Sequence, residues 1–150
     1  METAKQFSVQ LANKPGRFAA ILSSLSKEKV TIRAFCVMDC GKRSTLRFVP
    51  DDAALARSAL QTINAECDVT DVLMAEVPNQ PGGLPRICQR LAEDHLNVDY
   101  AYGSLSGPKG GNLAVIKVNN LGKAQRSLSD IGPNHKPVKK RPGRRPAYAR

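Results

Sequence analysis

Phe7, Val9 and Leu11 alternate with the polar Ser8 and Gln10, the two-residue period of a strand with one buried face. From Phe18 the period changes. Phe18, Ile21, Leu22 and Leu25 fall at i, i+3, i+4 and i+7, which is one stripe of a helix. Apolar runs from Val30 to Met38 and from Thr45 to Val49 predict two further strands, and Ala56, Leu60 and Ile63 mark a second helix. The succession then repeats. Leu73, Ala75 and Val77 alternate; Leu84, Ile87, Cys88 and Leu91 form a helical stripe; Leu96–Tyr102 and Leu113–Val118 predict strands; Ala124, Leu128 and Ile131 mark a last helix.

The repeat is carried by a short motif at the same place in each half. Asn13-Lys14-Pro15-Gly16-Arg17-Phe18 is answered 66 residues later by Asn79-Gln80-Pro81-Gly82-Gly83-Leu84, each following an alternating strand and preceding a helical stripe. Proline is tolerated in the first turn of a helix, where its missing N–H has no intrahelical partner, so Pro15 and Pro81 are expected there, with Asn13 and Asn79 as turn or capping residues. Cys67–Val77 is long enough to close the first half and open the second. No strand is evident after Ile131, so the second half is expected to lack its fourth.

Strand, helix, strand, strand, helix, strand is the split βαβ or ferredoxin-like arrangement. The expected class is α+β: two tandem ferredoxin-like βαββαβ domains, residues 1–70 and 71–132, each an antiparallel sheet with its helices on one face. The helix-free face carries Val72 and Met74 in the second half, too apolar for solvent, so pairing of the halves or of two chains is expected to cover it.

Charge changes this picture only at the end of the chain. The net charge is +10, but residues 133–150 hold seven of the 23 basic residues and no acid, which leaves 16 basic against 13 acidic residues before them. Proline and charge density make 133–150 a basic tail expected to be disordered and dispensable for folding. Nucleic acid is expected as a partner only through that tail, where clustered cations would release counterions from phosphate. No segment has the length and hydropathy of a signal peptide or a membrane span, so a cytoplasmic protein without membrane contact is expected. Cys36, Cys40, Cys67 and Cys88 form no Cys-x-x-Cys pair and are expected to be reduced, mostly buried thiols, with no metal or cofactor.

Candidate chemistry is sparse. Gly107-Pro108-Lys109-Gly110-Gly111 lacks the Gly-Lys-Ser/Thr ending of a phosphate loop and joins two strands, so it reads as a hairpin. His95, at a helix end, is expected to interact with the helix dipole, and no nucleophile accompanies it nearby in sequence. Tyr100 and Tyr102 share one strand face, but the third strands, Thr45-Leu46-Arg47-Phe48-Val49 and Leu113-Ala114-Val115-Ile116-Lys117, lack the Gly-Phe-rich motif of an RNA-recognition domain, so core or interface tyrosines are expected. No acid, base or metal set for an enzyme emerges.

The strand followed by Asn-x-Pro-Gly-x-Phe/Leu and a helix with Ile and Leu on one side resembles the ACT-domain family, over both halves from about Lys5 to Ile131. The second copy, Val77–Leu84, is the closer match. The resemblance implies a stand-alone tandem ACT protein that binds an amino acid between paired domains and regulates amino-acid metabolism, with a metabolic enzyme as partner and a homodimer or an intramolecular domain pair as the assembly. It places the ligand against the loop from first strand to first helix. The corresponding residues are Asn13, Pro15, Gly16, Arg17 and Phe18, and Asn79, Pro81, Gly82, Gly83 and Leu84. Physical chemistry agrees with that placement: a helix N-terminus offers unpaired N–H groups to a carboxylate, and glycine lets the ligand approach the main chain. The same Pro-Gly pair also suffices to make a tight turn and nothing more.

Overall fold

A computed structural model describes residues 1–78, 80–104 and 112–131. The chain runs β1 (Glu2–Ala12), α1 (Arg17–Lys27), β2 (Ile32–Asp39), β3 (Arg43–Pro50), α2 (Ala53–Thr62), β4 (Cys67–Val77), α3 (Gly83–Glu93), β5 (Val98–Ser104), β6 (Asn112–Val118) and α4 (Leu121–Ser127). The strands form one antiparallel sheet in the order β2-β3-β1-β4-β6-β5. The elements follow the periods of the sequence, with differences at helix ends, where Leu128 caps α4. Ile63 caps α2 instead of lying within it, and Ile131 packs against the core beyond the end of α4.

Two long strands tie the halves together. β1 pairs with β3 through Phe7–Ala12 and with β4 through Glu2–Val9. β4 gives Cys67–Met74 to β1 and Leu73–Val77 to β6, so it closes the first unit and opens the second without a break. The second unit borrows its missing strand: Glu2–Lys5 of β1, paired with Asp71–Met74, stands beside β4 where a fourth strand belongs.

Side-chain alternation along these strands builds three cores. Phe7, Val9, Leu11, Leu46 and Phe48 meet Ile21 and Leu25 of α1 and Ala56, Ala59 and Leu60 of α2. Leu73, Ala75, Val77 and Ile116 meet Ile87 and Leu91 of α3 and Ala124 of α4. The third core has no helix. Ala34 and Val49 from the first half meet Val72, Met74, Leu113 and Val115 on the other side of the sheet, and β2 passes close to β5. The sheet therefore folds so that its two helix-free faces cover each other, giving four layers: helices, half-sheet, half-sheet, helices. Val72 and Met74 are buried in this seam, each by removal of apolar surface worth about 1.5–3 kcal/mol.

One polar cluster sits in the seam. Gln6 is fully buried; its Nε2 donates to Tyr100 Oη at 2.6 Å and its Oε1 accepts from Tyr102 Oη at 2.9 Å, which satisfies a side chain that would otherwise be costly to bury. The Arg47 guanidinium lies over the Tyr100 ring, 4.4 Å from its centroid. Tyr100 and Tyr102 are thus interface tyrosines between the halves. Burial raises the Tyr102 phenol above the ordinary tyrosine range, with Cys36 and Tyr100 adding to the effect and Arg47 opposing it.

His95 has a backbone task at the end of α3. With φ of 53° it turns the chain out of α3, so that its own N–H reaches Ala92 and that of Leu96 reaches Leu91. Lys29 and Asn64, also at positive φ, end α1 and α2 in the same way.

Candidate functional site

The two Pro-Gly motifs form the same turn. Lys14 O accepts from Arg17 N at 3.4 Å and Gln80 O from Gly83 N at 3.3 Å, enclosing Pro15-Gly16 and Pro81-Gly82. Gly16 (φ 85°, ψ −12°) and Gly82 (φ 95°, ψ −10°) occupy the left-handed third position of a type II turn, for which proline at the second position is pre-set. The prolines therefore precede the helices; they do not lie in the first helical turn. The helix caps are Gly16 and Gly82, without a side-chain cap bond, so Asn13 is a turn residue only, and Asn79 lies outside the described residues. Among the described residues, the first N–H groups of α1 and α3 consequently have no side-chain acceptor.

The turns do not share one site. β1 and β4 are antiparallel, so Ala12 and Val77, which lead into the two turns, are at opposite ends of the pair, on the order of 40 Å apart along the strands. Their surroundings differ as well. A Cβ on Gly83 would stand 2.9 Å from Pro78 O and 3.0 Å from Val77 Cγ1, so the second turn is packed against the end of its strand; the equivalent residue in the first half is the exposed Arg17. Phe18 packs into the first core and lies 6.2 Å from Phe35, whereas Leu84 is 48% exposed.

Beside the first turn opens a cavity of about 680 Å³. It exists because β1 outruns its neighbour: Val9 pairs with Cys67, the first residue of β4, and Gln10–Ala12 continue with the α2–β4 turn opposite them. Of the nine expected site residues that the structure describes, only Arg17 lines it. Arg43, Glu66 and Asp68 join Arg17 there, brought by the start of β3, the α2–β4 turn and the start of β4. Topology alone assembles this set. Arg43 faces Ala12 across the β1–β3 ladder and Asp68 faces Ser8 across the β1–β4 ladder, pairings that no local motif encodes. Cys67 forms part of the wall, and its thiol is held above the usual range by burial, with Arg57 opposing that shift and Asp68 adding to it.

A family model described as an ACT domain pair matches residues 2–130. The chain belongs to that family. Among solved structures this ACT pair is similar to protein BT0572 from Bacteroides thetaiotaomicron, with 28% identity, a TM-score of 0.78, and 85% of this chain and 87% of that one covered. It shares its fold with the regulatory subunit of aspartate kinase from Thermus thermophilus in a ligand-free form (14% identity, TM-score 0.60, 85% and 91% covered) and with that from Thermus flavus (15%, 0.60, 86% and 92%). No curated protein matches the sequence.

The remaining candidates fall as follows. The four cysteines of the ACT pair are free, but none is fully buried: Cys36 and Cys67 are half-buried, Cys40 and Cys88 exposed, because Cys88 falls at the rim of the α3 stripe and Cys40 in the β2–β3 turn. Among the described residues no group of His, Cys, Asp and Glu is placed to hold a metal, and no helix is long and apolar enough to cross a membrane. The glycine-rich hairpin joins the paired strands β5 and β6, although its residues 107–111, like the basic tail, lie outside the described residues.

Proposed function

We propose that this ACT pair is a regulatory module that binds an amino acid and passes its occupancy to a metabolic enzyme, catalysing no reaction itself. The observation that carries this reading is the cavity beside the first strand-to-helix turn, bordered by residues of both charges, in a fold shared with regulatory subunits. An amino acid carries a carboxylate and an ammonium group, and such a lining offers a partner to each. Occupancy has a route to a distant surface, because β1 and β4, whose ends form the cavity, also frame the second half. A ligand shifts such a coupled structure only as far as it binds one arrangement better than another. The seam between the halves is already filled within one chain, so a partner would dock on outer surfaces, and a cytoplasmic setting suits such a partner.

The test is thermal unfolding of the full chain with each of the twenty amino acids in turn. A ligand that binds only the native state raises the midpoint with concentration, by about 2.7 kcal/mol of stability at a hundred times its Kd. Flat midpoints for all twenty at millimolar concentration would refute the reading.

A further inference from the structure

We draw no further inference here: the strongest candidate, the exposed apolar strip that Phe35 and Val37 of the edge strand β2 form beside Phe18 of α1, carries none, because nothing in the structure shows what covers it.

Discussion

The two halves carry the same turn and different walls. Lys14–Arg17 and Gln80–Gly83 agree in hydrogen bonding and in the dihedrals of their glycines, yet the first opens on a cavity with Arg17 at its rim and the second presses Gly83 against Pro78 and Val77. The helix pairs show the same divergence. Ser24 Oγ donates to Ala59 O at 2.9 Å in the first half, and the equivalent contact in the second is Arg90 Nε to Ser127 O at 3.2 Å, a short hydroxyl replaced by a long guanidinium that also pairs with Asp130. A repeated motif thus preserves the backbone device that turns a strand into a helix; what can be bound beside it is decided by residues the motif does not contain.

The sharpest way to break the comparison is to separate the halves. Residues 1–70 alone lose most of β4, and residues 71–132 alone lose the Glu2–Lys5 strand together with the cover of Val72 and Met74. Units of this size are marginal even with a complete core. Neither fragment is expected to show cooperative unfolding on its own, by circular dichroism against urea, and mixing the two should restore it. A cooperative transition in either isolated fragment would show that the borrowed strand is dispensable.

The next effect belongs to Gly83. A methyl group there meets a carbonyl oxygen and a strand side chain at 2.9 and 3.0 Å, so Gly83→Ala should cost about 2 kcal/mol in urea titration, whereas Arg17→Ala at the matching position should change stability little. Equal effects at the two positions would mean that the second turn is as open as the first. Gly16 and Gly82 should behave alike, since nothing lies within 4 Å of a Cβ on either and only the positive φ resists a side chain. Alanine at each should cost about 1 kcal/mol, and asparagine, which tolerates that conformation better, less. A large difference between Gly16→Ala and Gly82→Ala would contradict the identity of the two turns.

Local periodicity was enough to find most of the fold, because strands and helices imprint their own spacing on the chain: Phe7, Val9 and Leu11 on one side, Ile21 and Leu25 on the other, and the Cys67–Val77 segment serving both units. Long-range partners were not legible. Nothing in Glu2–Lys5 marks it as the substitute for a strand more than a hundred residues downstream, and no local pattern shows that the helix-free faces fold onto each other within one chain. The site divides in the same way. The Pro-Gly turns are visible in sequence because proline and glycine have backbone meanings, while Arg43 and Asp68 come to the border of the cavity through β-ladder register, which exposed charged residues do not specify, and Glu66 through the turn before β4.

The smallest expected effect concerns the seam, where the halves meet as partners. Tyr102 is half-buried there with its hydroxyl on Gln6, and burial raises its phenol above the ordinary tyrosine value. The folded chain therefore keeps a proton that the unfolded chain releases near the ordinary tyrosine pKa of about 10. When the native state binds more protons than the unfolded one, stability falls as pH rises, so the contribution of Tyr102 is fully present below about pH 10 and is lost progressively above it. Other groups also ionise at alkaline pH, so the wild-type slope alone would mix several contributions. The difference between wild type and Tyr102→Phe removes them, because the variant keeps every other group and loses only the phenol. Urea unfolding of both at pH 8, 9, 10 and 11 should show the wild type more stable at pH 8 by a margin typical of one hydrogen bond, about 1 kcal/mol, and that margin should shrink from pH 10 upward. A margin constant across the series would mean that the phenol titrates alike in the folded and unfolded chain, and that the seam around Gln6 is wetter than its packing implies.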